Sequence, residues 1–328
     1  MGKWIARLLA VLLLLGAAGA GAFFYGLSLF DGPGPLAQAS VVIIPKGAGL
    51  QGAARSLEQA GVISDARLFD FGVWRYHETG RLKAGEYAFT PHQSGHDIME
   101  MMRKGETLVH KLTIPEGSTV KQVVEILTAE EALAGNVGPL PPEGSLLPET
   151  YHFSRDDSRA EILTRMERAM TQTLETLWAG RVGNLPLKNR HEALILASIV
   201  ERETALTTER PHIAAIFLNR LKRGMKLQSD PTTIYGLSDG LGVLDRPLTH
   251  QDLESALPWN TYVIPGLPPS PIANPGKAAL QAVLHPDNSD DLYFVADGSG
   301  GHAFAKTLTD HNRNVSQWRA LEKSGSPK

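Results

Sequence analysis

From Leu8 to Phe30 the chain runs through 23 consecutive residues without a formal charge. In helical form, at ~1.5 Å per residue, that stretch spans a hydrocarbon core of about 30 Å. Lys3 and Arg7 precede it; Asp31 and the run Gly32-Pro33-Gly34-Pro35 follow. The positive-inside rule keeps such an N-terminus in the cytoplasm and exports the remainder. A cleaved signal peptide is the competing reading, since Ala18-Gly19-Ala20 and Ala20-Gly21-Ala22 both offer small-residue cleavage sites. The apolar run, however, continues through Phe23, Phe24, Tyr25, Leu27, Leu29 and Phe30, beyond the about 7–15 residues of a signal-peptide core. The anchor is the better reading, and either one places the body outside the cytoplasm.

That body folds without covalent help. The 328 residues include no cysteine, which excludes disulfides, thiolate metal sites and thiol catalysis together. With 32 Lys+Arg against 35 Asp+Glu the net charge is −3, an unpromising balance for binding nucleic acid, whose phosphates call for excess cation. The 11 histidines show no pair at metal-ligand spacing, and Asp287–Asp291 lacks the glycine and distal Glu of a calcium loop. His191-Glu192 lacks the second His of a zincin helix, and neither a G-x-S-x-G elbow nor a Walker motif is present. Neither a metal nor a cofactor is expected.

After a turn-rich linker over residues 31–40, Val41-Val42-Ile43-Ile44 reads as a short strand. Pro45-Lys46-Gly47 ends it, and Leu50, Ala53, Ala54 and Leu57 follow at helical spacing. The layout recurs 70 residues later, with Leu112-Thr113-Ile114, Pro115-Glu116-Gly117 and then Val120, Val123, Val124 and Leu127. A looser copy runs from Tyr87 and Phe89 to Ile98, Met101 and Met102. Each strand–turn–helix unit is too small to bury its apolar face alone, so the copies are expected to pack on one another. Further on, helices are predicted over 160–178, 192–206 and 213–223. Asp230-Pro231 and Asn274-Pro275 read as helix caps before a first-turn proline. Residues 292–296 and 302–305 read as a hairpin. The fold class is α+β.

The chemistry points to Leu194-Ile195-Leu196-Ala197-Ser198-Ile199-Val200-Glu201-Arg202-Glu203, a helix apolar around most of its circumference yet carrying carboxylates. Burial disfavours the charged form and keeps a proton available near neutral pH, as in a glycosidase general acid. At ~100° per residue Glu201 shares its face with Leu194, Ala197 and Ser198, whereas Glu203 lies beside Leu196 and Ile199. Small neighbours suggest a groove beside Glu201, so Glu201 is the expected acid. The alternative is a Glu paired with Arg202 or Arg210 at the helix end.

The stretch Ala197–Thr204 resembles the catalytic signature of the endolytic murein transglycosylase (YceG-like) family. So do Asn219-Arg220-Leu221, the segment Gly224–Thr232, Trp259-Asn260-Thr261-Tyr262, the segment Gly266–Gly276, Tyr293–Gly298 with His302 and Phe304, and Pro142–Tyr151. Trp259 and Leu147 depart from the family's usual Tyr and Phe. The resemblance implies an anchor over 1–30, a linker over 31–40, a LysM-like region over 41–110 and a catalytic domain over 111–328, in which the second repeat occupies 112–127.

It further implies non-hydrolytic cleavage of the β-1,4 bond between N-acetylmuramic acid and N-acetylglucosamine in nascent peptidoglycan, closing a 1,6-anhydro ring and terminating the strand. Glu201 would be both acid and conjugate base. Gln228, Asp230, Asn260, Tyr262, Ser270 and Glu149 would bind the glycan, and membrane-bound peptidoglycan synthases would be partners. Asp230 would be the second carboxylate of a hydrolase, if it is not an N-cap. A muramidase and a non-catalytic wall-binding scaffold are the alternatives.

Overall fold

The computed structural model describes residues 2–323. The chain divides into two compact units, Met1–His110 with His152–Asp156, and Lys111–Tyr151 with Asp157–Lys328.

The first unit begins with α1 (Gly2–Asp31), one continuous helix long and apolar enough to cross a membrane. Its last turn is not free: Phe30 is 2% exposed. There follow β1 (Ser40–Ile44), α2 (Gly49–Gln59), α3 (Ala66–Arg75), β2 (Gly85–Phe89) and α4 (Gly95–Lys104). β1 and β2 pair antiparallel, Ser40 opposite Phe89 and Ile44 opposite Gly85. Val42 and Ile44 point inward while Val41 and Ile43 stay exposed, the period-2 alternation of a strand with one buried face. Asp65 caps α3 by accepting from the Arg67 and Leu68 amides, and Ser94 caps α4. α4 stops at Gly105, whose φ of 75° is the left-handed conformation that terminates helices. Phe30, Leu57, Phe69, Tyr87, Phe89, Ile98 and Met102 fill the core. Residues 31–40 contribute to it as well, because Leu36 is buried and its carbonyl accepts from the His92 amide.

β3 (Val109–Thr113) pairs with β4 (Thr150–Ser154), and α5 (Val120–Ala129) opens on a Thr119/Gln122 capping box. All three expected strand–turn–helix copies therefore form, but they are divided between the two units. The first and third meet through β1 and β2, whereas the 112–127 copy belongs to the other unit and takes β4 as its strand partner.

The second unit continues with α6 (Arg159–Ala179), α7 (Arg190–Glu203), α8 (Arg210–Lys222), α9 (Asp230–Leu237), α10 (His250–Leu253), α11 (Lys277–Leu284), β5 (Tyr293–Ala296), β6 (His302–Ala305) and α12 (Leu308–Lys323). α7 is its axis, buried continuously from Ala193 to Glu201 and packed by α6, α8, α9 and α11. It stops at Glu203, before the 206 expected from the sequence, because Thr204 is extended (φ −138°, ψ 134°). The 293–305 hairpin pairs Phe294 with Phe304 and Ala296 with His302. The two expected proline caps shift. Ser229 caps α9 and Gly276 caps α11. Asn274 instead accepts from the Leu146 amide and donates to the Ser118 carbonyl, both at 2.9 Å.

Candidate active site

The buried helix α7 brings both candidate acids to its last turn, and its neighbours treat them differently. Glu201 is sealed. Arg210 Nη2 donates to its Oε1 at 2.6 Å and the Gly276 amide to its Oε2 at 2.9 Å, leaving the side chain 4% exposed. Arg210 also reaches Glu116 Oε2 at 3.3 Å. Burial pushes the Glu201 carboxyl up, opposed by the Gly276 amide and Arg210. The expected groove over Ala197 and Ser198 is absent because the chain from Ile272 to Gly276 fills it: the Ile272 amide donates to Ser198 Oγ at 3.0 Å. Small side chains here admit a backbone, not a sugar. A β-carbon at Gly276 would overlap the Glu116 carboxylate as it stands, so any side chain there has to displace it.

Glu203, two residues on, opens on a cleft of ≈ 460 Å³. Its Oε2 accepts from Ser229 Oγ at 2.8 Å, so the cap residue of α9 spends its hydroxyl on this acid instead of on its own helix. Burial pushes the Glu203 carboxyl up to about 7; Asp230 adds to the rise, while the Ser229 hydrogen bond, His302 and Arg220 oppose it. A group so placed keeps a proton in a substantial share of molecules near neutral pH and can deliver it.

The rest of the cleft is polar at its base. Tyr262 donates its hydroxyl to Asp230 Oδ1 at 2.6 Å, and Asp230 therefore faces the cleft instead of capping α9. Gln228 sits in the left-handed region at φ 54°, an uncommon conformation for a side-chain-bearing residue and one found at functional turns. Its amide donates to the Thr261 carbonyl at 3.2 Å. Arg220, buried, donates to the Leu292 carbonyl at 2.6 Å and the Leu227 carbonyl at 2.8 Å. It thereby ties the Gln228 turn to the hairpin, which supplies Phe294, Val295, Ala296 and His302 as a wall.

A sequence model of the YceG-like family matches residues 42–317. The chain belongs to the YceG-like family. It is 31% identical over 326 residues to the endolytic murein transglycosylase of Bacillus subtilis (strain 168), with 89% of each chain covered. It is 30% identical over 363 residues to the endolytic murein transglycosylase of Streptococcus pneumoniae, covering 95% of this chain and 65% of that one. The crystal structure of a YceG-like protein of Listeria monocytogenes aligns with a TM-score of 0.53 at 32% identity, over 84% of this chain and 99% of that one.

Of the residues expected to bind a glycan in a member of the YceG-like family, Gln228, Asp230 and Tyr262 meet in the Glu203 cleft. Three others lie elsewhere. Asn260 is fully buried, taking bonds from Thr233 Oγ1 at 2.9 Å and the Tyr262 amide at 3.0 Å and giving one to the Ser255 carbonyl at 2.8 Å; it fixes the loop that carries Tyr262. Ser270 accepts from Trp259 Nε1 at 2.9 Å. Glu149 is exposed, and its carbonyl accepts from the Ile114 amide at 3.0 Å. Sequence reasoning weighed Glu203 but ranked it below Glu201, met Ser229 and His302 only inside longer motifs, and did not single out Glu209. The available signal was the helix end, since a carboxylate in the final turn escapes the packed layer that encloses one two residues earlier.

Proposed function

We propose that this protein is a lytic transglycosylase that cleaves the β-1,4 bond between N-acetylmuramic acid and N-acetylglucosamine within peptidoglycan, with Glu203 as the acid. The observation that carries the reading is a carboxyl raised to about 7 by burial, held by Ser229 and opening on a polar cleft. The names of the Bacillus and Streptococcus relatives support the substrate. Glu203 protonates the glycosidic oxygen as the muramoyl carbon becomes oxocarbenium-like. The C6 hydroxyl of the same sugar then attacks C1 and loses its proton as the 1,6-anhydro ring closes. One proton is supplied and one removed, and no water is consumed. A nucleophile already attached to the substrate gains the proximity of an intramolecular reaction. The second carboxyl that hydrolytic glycosidases need at about 5–9.5 Å can therefore be dispensed with. Gln228, Asp230 and Tyr262 serve as hydrogen-bonding groups for acetamido and hydroxyl substituents.

The cellular setting follows the same reading. α1 anchors the chain in the cell membrane with Lys3 and Arg7 on the cytoplasmic side and the body outside. Membrane-bound synthases supply the strands, and cleavage ends their growth. The order β1-α2-α3-β2 with its antiparallel strand pair supports a LysM-like, wall-binding role for that segment. The deciding experiment digests sacculi with the wild type, Glu203→Gln and Glu201→Gln, then weighs the products. Glu203→Gln is expected to abolish 1,6-anhydro ends while keeping the fold. Full activity in that variant removes Glu203 from the mechanism. Products heavier by one water indicate a muramidase, and binding to sacculi without strand shortening a scaffold.

A further inference from the structure

On the hairpin wall of the cleft, His302 is held in a way that hydrophobic packing alone would not produce. Glu209, the residue preceding α8, chelates it: the His302 backbone amide donates to Oε1 at 3.0 Å, and ring Nδ1 lies 2.7 Å from Oε2. A carboxylate taking both bonds is an acceptor at each oxygen, which places the ring hydrogen on Nδ1 and leaves Nε2 as the nitrogen with a lone pair. The approach depends on the neighbouring residue having no side chain, because a β-carbon at Gly301 would stand 2.7 Å from Glu209 Oε1. Edge contacts fix the ring plane, with the Phe294 centroid 5.4 Å away at 83°. The other cleft imidazole, His311, has no such orienting partner; its Nδ1 is buried without a hydrogen bond and its ring stacks on Tyr293 at 5.2 Å.

We infer that His302, oriented by Glu209, is the base that takes the proton from the attacking C6 hydroxyl, so that acid and base are separate residues. The inference rests on Glu203 being the acid of an intramolecular transglycosylation. In the step, the hydroxyl proton passes to His302 Nε2 and the O6 electron pair forms the bond to C1. The C1–O4 pair leaves with O4, which receives the Glu203 proton. Glu203 ends as carboxylate and His302 as imidazolium, and return of the proton from His302 to Glu203 through water restores both. Glu209 stabilises the imidazolium as the carboxylate of a Ser-His-Asp triad does. The titratable groups around the imidazole are Glu209 ahead of α8, Glu203 closing α7, Arg220 on α8, Asp230 on α9, Tyr262 and His311 on α12.

The test is the pH dependence of kcat and KM on purified glycan strands for the full-length wild type, His302→Gln, Glu209→Gln and Glu203→Gln, with thermal unfolding as the control for fold. His302→Gln is expected to lower kcat by about 10²–10⁴-fold with KM within about threefold, and to lose the low-pH limb while the high-pH limb stays. Glu209→Gln leaves the ring in place and removes its counter-charge, so the low-pH limb moves to lower pH and kcat falls about tenfold. A His302→Gln enzyme with kcat within threefold of wild type, or an unmoved low-pH limb in Glu209→Gln, overturns the assignment. If His302→Gln fails to fold, the Glu209→Gln limb decides. An active Glu203→Gln enzyme overturns the underlying reading instead, whatever His302 does.

Discussion

Two carboxyls separated by one residue have opposite fates here. Both could be found in the sequence, because ionisable groups in an apolar helix are rare enough to stand out. Which one meets a cleft was not legible. Helical periodicity gives the direction of a side chain but not what lies over it, and the small residues beside Glu201 were covered by a segment more than seventy positions away. Glu201 now predicts a stability effect. Glu201→Ala strands Arg210 in the interior with Glu116 as its remaining carboxylate, and is expected to lower unfolding free energy by about 3–5 kcal/mol. Glu201→Gln, which keeps an acceptor for the Gly276 amide, should lower it less; urea unfolding measures both.

Burial of carboxyls also makes the stability depend on pH. Burial raises Glu203 and Glu143 from 4.5 to about 7. Between those values the folded protein holds protons that the unfolded chain has released. Their contribution to stability is complete below pH 4.5 and is lost as pH rises through about 7. Glu143→Gln and Glu203→Gln should each recover about 1–3 kcal/mol at pH 8 relative to wild type and nothing at pH 4. Equal differences at the two pH values would refute the assignment.

At the scale of elements the sequence was more informative. Strand–turn–helix copies, the buried α7 and the 293–305 hairpin all follow from periodicity and turn residues, which act locally. Strand partners do not: β1 finds β2 about forty residues later, and β3 finds β4 across α5. Such pairings are set by which faces can be buried together, and short apolar strands fit several partners. Helix ends were also misplaced by a few residues, and the observed end of α7 leaves Glu203 at the margin of the packed layer. The close packing of the 272–276 segment on α7 makes a sharp prediction. Gly276→Ala should destabilise by about 1–3 kcal/mol, since the new methyl displaces Glu116 or lifts the segment from Glu201. Gly183→Ala, where open space surrounds the backbone, should stay within about 0.5 kcal/mol. Thermal melts of the two variants provide the comparison.

At the scale of the whole molecule, the apolar N-terminal helix and the folded first unit share material. Composition separates an apolar run ending at Phe30 from a Gly/Pro-rich spacer, and that boundary suggests a tether. The structure places the last residue of the run inside the first unit. Phe30 lies against Phe69 with centroids 5.9 Å apart, and β-carbons at Gly72 and Gly95 would collide with its ring. Phe23, about two turns earlier, meets Phe71 edge-to-face at 5.4 Å. The helix is thus long and apolar enough to cross a membrane over most of its length and a core element at its end. Where a soluble version of the protein is cut should therefore matter more than the number of residues removed. A chain beginning at residue 23 keeps both aromatic contacts and should melt like the full-length protein. A chain beginning at residue 31 empties the Phe30 socket, a loss of about 3–5 kcal/mol for a buried phenylalanine. Amide exchange should then accelerate in α3 and α4, which hold that socket, while α7 and α8 stay as protected as before. Equal exchange in the two truncated chains would mean that Phe30 fills the socket without supporting it.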